Sequence, residues 1–189
     1  VEISGEGPET RRLTSKAFVI ATGAAPVVPP LPGIEDSGYL TSETLWDAMA
    51  TRAAVPKRLT ILGGGPIGCE LAQAFQRLGS QVTIVEMAER LMLKEDAEAV
   101  AMVEASLRAE GVDVRTSQKA ARFEGQGRLL IAGLNFESTL EYDDIIIAVG
   151  RRARVSGFGL EELGLVKDGK LTVDEYLTTA MSHIKVAGD

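Results

Sequence analysis

Cysteine and histidine are scarce in this 189-residue sequence, which contains one of each, Cys69 and His183. A single cysteine cannot form a disulfide within the chain, so a disulfide-stabilised secreted scaffold is not expected. Structural zinc sites usually need four cysteine or histidine ligands, so we predict no metal site. We interpret Cys69 as a small buried hydrophobic residue and His183 as a structural residue.

Long hydrophobic runs are also missing. No apolar stretch approaches the roughly 20 residues that a membrane-spanning helix needs, and the first residues do not resemble a secretory signal. Acidic residues outnumber basic ones by 27 to 20, which gives a formal net charge of -7. Because nucleic acids and anionic membranes are themselves negative, neither is an expected partner. We therefore expect a cytoplasmic protein.

A β-α-β pattern occupies the centre of the sequence. Residues 58–62 (RLTIL) predict a short buried strand, and apolar residues then recur at helical spacing from Ile67 to Leu78. The pattern continues with predicted strands at 81–85 and 112–115 and a predicted helix at 96–110. We therefore predict an α/β fold with a Rossmann-like parallel sheet flanked by helices.

The remaining predicted elements surround this unit. Residues 144–149 (DIIIAV) are typical of a strand buried on both faces. Four prolines in residues 24–34 predict an extended connector and a domain boundary. Residues 42–50 predict a short helix capped by Thr41 or Ser42. A small antiparallel β-meander is predicted at 121–123, 128–132 and 136–140, and the strands near 18–21 and 184–187 are predicted to pair.

A glycine-rich segment joins the first predicted strand to its helix and fits the pattern G-x-G-x-x-G. Its residues are Gly63, Gly64, Gly65, Pro66, Ile67 and Gly68. Gly63 permits the tight turn, Gly65 lets a pyrophosphate approach the backbone, and Gly68 allows close helix packing. Phosphates are favoured at a helix N-terminus by free N–H groups and the helix dipole. The segment therefore predicts a dinucleotide-binding loop.

An acidic residue ends the next strand. Glu86 lies 86 − 65 = 21 residues after Gly65, close to the spacing of about 20 that this motif requires. Its carboxylate can accept hydrogen bonds from both adenosine ribose hydroxyls and would repel the 2′-phosphate of NADP. We therefore predict NAD as the cofactor, with NADH preferred over NADPH. A purely structural glycine turn and an S-adenosylmethionine-dependent enzyme remain alternatives.

Four segments of the sequence resemble the flavin-dependent pyridine nucleotide–disulfide oxidoreductases, the family of lipoamide dehydrogenase, glutathione reductase and mercuric reductase. They are FVIATGAAPVVPPLPGI, GGGPIGCELAQAFQRLGSQVTIVE, DIIIAVGRRARV and IKVAGD. The resemblance implies that residues 26–149 form the NAD-binding domain. It also implies that residues 1–25 and 150–189 are flanking stubs of a split FAD domain, the second being the segment that returns toward it.

The resemblance assigns roles to individual residues. Glu70 would lie near the nicotinamide–flavin contact, unless it is simply a solvated helix residue. The backbone of Ala120 would meet the adenine, and that of Gly150 would approach the nicotinamide half. Asp189 would contact FAD in the intact enzyme. No residue of this chain is predicted to be catalytic.

The sequence also departs from the family pattern. Ala153 and Arg154 stand where the family usually has Pro-Asn, and this leaves the roles of Arg151 and Arg152 in doubt. We interpret these two arginines as a solvated basic cluster. The family's flavin-phosphate glycine loop, its redox-active cysteine pair and its C-terminal dimerisation domain do not occur in this sequence.

The resemblance implies an enzyme that passes hydride from NADH to FAD and then reduces a disulfide or a metal ion. We expect this chain to be an inactive piece of a homodimeric parent, with NADH, the rest of the FAD domain and the dimerisation domain as partners. Two alternatives stay open. One is a stand-alone NADH-binding module, and the other is a fragment of an NADH oxidase or ferredoxin-reductase-type flavoprotein.

Overall fold

The computed structural model describes residues 2–4 and 10–188 and divides the chain into two compact units. One unit is Pro26–Arg151, and the other is built from the described residues of Val1–Ala25 and Arg152–Asp189. The strands are β1 (Glu2–Ser4), β2 (Thr10–Arg12), β3 (Phe18–Ile20), β4 (Ala24–Pro26), β5 (Leu40–Thr41), β6 (Arg58–Leu62), β7 (Gln81–Val85), β8 (Asp113–Arg115), β9 (Lys119–Phe123), β10 (Arg128–Ala132), β11 (Glu137–Glu141), β12 (Asp144–Ile147), β13 (Arg151–Ala153), β14 (Val166–Lys167), β15 (Lys170–Leu171) and β16 (Ile184–Val186). The helices are α1 (Leu45–Ala50), α2 (Pro66–Arg77) and α3 (Ala97–Ala109), with a 3₁₀ turn at Ile34–Asp36.

A five-stranded parallel sheet forms the centre of the Pro26–Arg151 unit. Its strand order is β5-β12-β6-β7-β8, and every neighbouring pair is parallel. The chain moves outward from β6 to β7 and β8 on one side, whereas β12 and β5 lie on the other side. The strand order therefore reverses between β6 and β12. The predicted α/β fold with a parallel sheet is confirmed.

Two hydrophobic clusters cover the two faces of this sheet. Successive side chains of a strand point to opposite faces, so Ile145 of β12 joins one cluster and Ile146 joins the other. The cluster around Ile146 contains the buried faces of α1, α2 and α3. The cluster around Ile145 contains residues of the meander strands β9, β10 and β11. The helices therefore cover one face and the meander covers the other.

Among the helices of the described residues, α3 alone begins at a side-chain cap. Asp96 caps α3, because its Oδ1 accepts hydrogen bonds from the N–H groups of Glu98 (3.0 Å) and Ala99 (3.1 Å). The predicted cap of α1 is wrong. Thr41 belongs to β5, and Thr44 is the N-cap, without a side-chain capping bond. Parallel pairing of Thr41 with Ile147 keeps Thr41 in the sheet, and α1 begins only at Leu45.

The predicted antiparallel meander is present. Strand β10 lies between β9 and β11 and pairs antiparallel with both, with a β-bulge at Leu130/Ile131. Phe123, Leu129 and Ile131 are buried in the cluster around Ile145. The proline-rich connector contributes here, since the carbonyl of Pro32 accepts the N–H of Phe123 at 2.8 Å. The meander is thus joined to the connector that opens the unit.

The second unit has its own small core of Leu160, Leu165 and Ile184. The predicted pairing of the strands near 18–21 and 184–187 is present, with Phe18 of β3 opposite Ile184 of β16 in a parallel ladder. The antiparallel pairs β1–β2 and β14–β15 were not predicted. The strands β4 and β13, where the chain passes between the units, pair with each other.

The described residues bear on two classes of protein, those that span a membrane and those that hold a metal ion. No helix in residues 2–4 and 10–188 is long and apolar enough to cross a membrane. The same residues contain no group of three or more histidine, cysteine, aspartate and glutamate side chains that could hold a metal ion.

Truncation of a buried side chain in β12 tests this core. Ile146 is 0% exposed, and we expect Ile146→Ala to lower the free energy of unfolding by about 2–5 kcal/mol, because it removes buried methyl groups and leaves a cavity. Urea unfolding of the full chain measures this change. Leu134 is 94% exposed, so Leu134→Ala should change stability by less than about 0.5 kcal/mol. Equal effects of the two substitutions would contradict the buried position of Ile146.

Candidate functional site

A cleft of about 820 Å³ opens at the carboxyl ends of the parallel strands in the Pro26–Arg151 unit. Its walls come from the segments that follow β5, β6, β7 and β12, from the start of β9, and from the proline-rich connector. In open α/β sheets, ligands bind outside the carboxyl ends of the strands where the strand order reverses. The cleft occupies this position, because it adjoins the ends of β6 and β12.

The turn out of β6 depends on two glycines that approach each other closely. Gly63 has a φ of +105°, and a Cβ there would lie 2.4 Å from the carbonyl oxygen of Ala148. A Cβ on Gly68 would lie 2.0 Å from the carbonyl oxygen of Gly63. Neither position accepts a side chain without moving backbone. These glycines therefore allow α2 to begin directly at the end of β6.

Gly65 differs from these two glycines, because open space surrounds it. A Cβ on Gly65 would meet no atom within 4 Å, and its φ of -73° suits any residue. Gly65, Pro66 and Ile67 all line the cleft, and Pro66 occupies the first turn of α2. The first N–H groups of a helix lack intrahelical acceptors, so this turn can bind an anion. The backbone at Gly65 is therefore accessible to a ligand.

The Glu86 carboxylate lies beside this turn and is partly buried. Its Oε2 accepts the N–H of Gly64 at 2.7 Å, and its Oε1 accepts the N–H of Ala88 at 2.7 Å. An ionised carboxylate offers about four lone-pair positions, so each oxygen retains one further acceptor position. Glu86 also lines the cleft. It can therefore accept two more hydrogen bonds from a ligand.

Gly64 is buried behind the turn and does not line the cleft. Its N–H donates to Glu86, and its carbonyl accepts the N–H of Met92 at 2.7 Å. The thiol of Cys69 lies 3.5 Å from the same carbonyl oxygen. Both sides of the Gly64 peptide are thus held, which fixes the turn relative to Glu86.

The other predicted site residues differ in whether they line the cleft. Ala120 and Gly150 line the same cleft as Gly65 and Glu86. Gly68 is buried under the turn, and the side chain of Glu70 is exposed and not part of the cleft wall. Asp189 lies outside the described residues, so its predicted contact with FAD stays a prediction.

Several residues of the cleft were not singled out from the sequence. They are Ser42, Lys94, Gln118 and Lys119, together with Arg151, which was interpreted as solvated. Arg151 is exposed, but it lines the cleft and its Nη1 donates to Ser42 Oγ at 3.3 Å. Three of these residues, Lys94, Lys119 and Arg151, are cations. A signal for Arg151 was available, because it directly follows Gly150.

Arg90 organises the loop that forms one wall of the cleft. Its guanidinium donates to the backbone carbonyls of Met92 (3.1 Å), Leu93 (2.7 Å) and Glu95 (3.1 Å). These bonds occupy the guanidinium within its own loop. Arg90 therefore supports its own loop, and it is not one of the residues that line the cleft.

Cys69 is buried on the first turns of α2, as expected from the sequence. Burial raises the pKa of its thiol to about 11, and the negative charges of Glu86, Glu104 and Glu70 contribute in the same direction. Because the folded state binds this proton more tightly than the unfolded state, folding stability falls as pH rises from about 9 toward about 11. At neutral pH the thiol is protonated and is a poor nucleophile.

Comparison with known proteins gives relatives over the whole chain. Residues 2–189 match the model of the family described as pyridine nucleotide-disulphide oxidoreductase. A mercuric reductase from Streptomyces lividans is 37% identical over 194 residues, covering 100% of this chain and 40% of the relative. A dihydrolipoyl dehydrogenase from Thermus scotoductus is 35% identical over 199 residues, covering 100% of this chain and 41% of the relative. The chain thus spans about two fifths of these relatives.

Solved structures of flavoproteins are similar to this chain. The HOCl-induced flavoprotein disulfide reductase of Escherichia coli has a TM-score of 0.80 and 31% identity, covering 95% of this chain and 41% of that chain. The water-forming NADH oxidase of Lactobacillus brevis, bound to NADH, has a TM-score of 0.76 and 25% identity, covering 96% of this chain and 40% of that chain. An engineered NADPH oxidase derived from it, bound to NADPH, has a TM-score of 0.75 and 25% identity, with the same coverage.

The two kinds of glycine in the turn should respond differently to substitution. We expect Gly68→Ala to destabilise the chain by about 1–3 kcal/mol, because its Cβ would overlap the Gly63 carbonyl. Gly65→Ala should change stability by less than about 0.5 kcal/mol, since its Cβ enters open space. Urea unfolding of both variants measures the difference. Equal destabilisation would show that the turn has another geometry.

The reactivity of Cys69 tests its environment. A rise of the thiol pKa from 9.0 to about 11 lowers the thiolate fraction at pH 8 by about a hundredfold. We therefore expect iodoacetamide to label the folded chain at least about a hundred times more slowly than the urea-unfolded chain. The unfolded sample is the control for reagent and pH. Rapid labelling of the folded chain would contradict the buried position.

Proposed function

The chain belongs to the pyridine nucleotide-disulphide oxidoreductase family, and we propose that its Pro26–Arg151 unit binds NADH as the nicotinamide nucleotide module of a flavoprotein reductase. One observation carries the proposal. The open backbone at Gly65 and the partly free carboxylate of Glu86 line one cleft at the point where the strand order reverses. A diphosphate and a ribose diol need these two groups side by side.

The proposed diphosphate site is the first turn of α2. The absence of a side chain at Gly65 lets the phosphate oxygens reach the N–H groups of the helix start, which also carries the positive end of the helix dipole. Pro66 costs nothing there, because its missing N–H has no intrahelical role. Gly63 and Gly68 act indirectly, by allowing the turn to exist.

The proposed adenosine ribose site is Glu86. Its two remaining acceptor positions match the 2′- and 3′-hydroxyl groups, which are both donors. Adenine would then extend toward Ala120, and the nicotinamide half would run toward Gly150 at the other wall of the cleft. The resemblance of the sequence to the family assigns the same roles to Ala120 and Gly150.

The same carboxylate favours NADH over NADPH. Two unit charges 4 Å apart repel by about 4 kcal/mol at an effective dielectric constant of 20, and a 2′-phosphate places charge of the same sign near Glu86. Arg90 does not line the cleft, and its two Nη groups donate to carbonyls of its own loop. The engineered oxidase that binds NADPH has lost one aspartate and gained two arginines, in keeping with this electrostatic argument.

We place this unit in a larger flavoprotein. Members of the family use FAD and pyridine nucleotides, and bound FAD would accept the hydride of NADH. This chain would hold NADH and set its orientation, with residues 1–25 and 150–189 as parts of the FAD domain. Glu70 near the nicotinamide and Asp189 on FAD remain proposals from the resemblance. The dimerisation domain and a homodimeric parent are part of the same proposal.

The two candidate parent enzymes differ in their electron acceptor. The identity of 37% with a mercuric reductase favours a disulfide or mercuric-ion reductase. The similarity to a water-forming NADH oxidase favours the alternative, in which flavin electrons go to oxygen. The NADH-binding unit proposed here is common to both. A cysteine pair in the flavin domain of the parent would distinguish them.

A charge change at the ribose site tests the cofactor preference. We expect the original chain to bind NADH at least tenfold more tightly than NADPH, since tenfold corresponds to about 1.4 kcal/mol. In the double variant Glu86→Ala with Met87→Arg, NADH binding should weaken and the preference should reverse, because Met87 is 78% exposed and lines the cleft. Isothermal titration with both nucleotides measures the four dissociation constants.

Glu89→Arg provides a matched control. It changes the charge by the same two units three residues away, at an exposed position outside the cleft wall. Its preference for NADH should persist. Equal binding of NADH and NADPH by the original chain would overturn the assignment of Glu86, and no binding of NADH would overturn the proposed function.

A further inference from the structure

The loop that follows β7 contains a residue in the left-handed conformation. Met92 has a φ of +40°, which is uncommon for a residue other than glycine and costs free energy. Its N–H donates to the carbonyl of Gly64 at 2.7 Å, and Met92 also lines the cleft. A conformation of this kind persists only where the surrounding contacts impose it. The groups that hold Met92 therefore bear on the site.

Arg90 supplies these contacts. Its Nη1 donates to the carbonyl of Met92 at 3.1 Å, and its Nη2 donates to the carbonyls of Leu93 (2.7 Å) and Glu95 (3.1 Å). A planar guanidinium presents its donors in a rigid fork and can hold several carbonyls in a fixed arrangement, whereas an ammonium is a point charge. Arg90 does not line the cleft itself. It can therefore act on a ligand only through the loop that it holds.

The bond from Met92 fixes the direction of one peptide in the glycine turn. A trans peptide is planar, and its C=O and N–H point to opposite sides. The carbonyl of Gly64 and the N–H of Gly65 belong to the same peptide. Because the carbonyl is directed at Met92, the N–H of Gly65 is directed away from the loop. This N–H donates to no acceptor among the described residues.

An unpaired N–H at an open glycine suits a phosphate oxygen. Gly65 lines the cleft and is surrounded by open space. A hydrogen bond to a charged acceptor is stronger than one to a neutral acceptor, so its donor must be well aimed. We propose that Arg90 is a positioning residue for the nucleotide diphosphate, because it holds Met92 in the conformation that directs the N–H of Gly65. This inference rests on the proposed function, which places the diphosphate at Gly65.

Two ligands that differ in the diphosphate test this inference on the full chain. ADP-ribose contains the diphosphate and the adenosine of NADH, whereas adenosine contains no phosphate. We expect Arg90→Lys, which keeps the charge and loses the fork, to weaken ADP-ribose binding by about tenfold, the effect of one lost charge-assisted hydrogen bond. Adenosine binding should change by less than about twofold. NMR titration measures both constants, and a loss of folded protein would weaken both ligands equally.

Substitutions of Met92 provide a matched pair of variants. Met92→Gly and Met92→Val both remove the methionine side chain, but glycine adopts positive φ readily and a β-branched residue does not. Met92→Gly should keep the affinity for ADP-ribose within about threefold of the original, and Met92→Val should lower it by about tenfold. Because Arg90 is intact in both variants, the pair tests the inference even where Arg90→Lys does not fold.

Arg108→Lys is the control for the exchange of arginine for lysine. Arg108 lies on α3 outside the cleft wall, and its Nη2 donates to Glu104 (2.7 Å) and to the carbonyl of Val114 (3.0 Å). The affinities for ADP-ribose and for adenosine should both stay unchanged in this variant. Thermal unfolding shows whether each variant is folded.

The outcomes distinguish this inference from the function on which it rests. Unchanged ADP-ribose affinity in folded Arg90→Lys overturns the role of Arg90. Equal affinities of folded Met92→Gly and Met92→Val overturn the route through Met92. In both cases ADP-ribose still binds to the original chain and the proposed function stands. No binding of ADP-ribose by the original chain overturns the proposed function and this inference together.

Discussion

The close approach of two backbone segments is the constraint on which the proposed nucleotide site depends. The Gly68 Cα lies so near the Gly63 carbonyl that a single methyl group would not fit, and this proximity starts α2 at the very end of β6. The positive end of the helix is thereby brought to the edge of the sheet, where the strand order reverses. Any larger residue at either glycine would push the helix away from that edge.

Glu86 extends this constraint from the turn to the rest of the cleft. Its carboxylate accepts N–H groups from Gly64 and Ala88, and its main chain accepts the N–H of Gln118. One residue therefore connects the glycine turn, the segment after β7 and the start of β9. A ligand that engages the carboxylate meets groups that are already ordered, so little conformational entropy remains to be lost on binding.

Much of this architecture could be predicted because it follows from local patterns. The RLTIL and QVTIV strands, the spacing of Ile67, Leu71 and Phe75, and the apolar run of β12 specify their elements without reference to distant residues. Other features depend on contacts that a pattern does not contain. Thr41 is held in β5 by pairing with β12, about a hundred residues later, and the sequence around it resembles a helix cap. Gln118 and Arg90 carry no distinguishing pattern in the sequence. Only the folded chain shows that the side-chain oxygen of Gln118 is buried and unpaired and that Arg90 donates to carbonyls of its own loop.

The pairing of β4 with β13 has a consequence for the insertion of the Pro26–Arg151 unit into another domain. The chain enters the Pro26–Arg151 unit along one of these strands and leaves along the other, and the N–H of Val27 donates to the carbonyl of Gly150 at 2.9 Å. Entry and exit are therefore adjacent, as in sequences that tolerate insertion into a host domain. A segment with this property can be exchanged between hosts as a cassette, because the host has only to bridge a gap one ladder wide. Transfer of the unit to another host domain therefore requires only two chain ends that lie one strand apart.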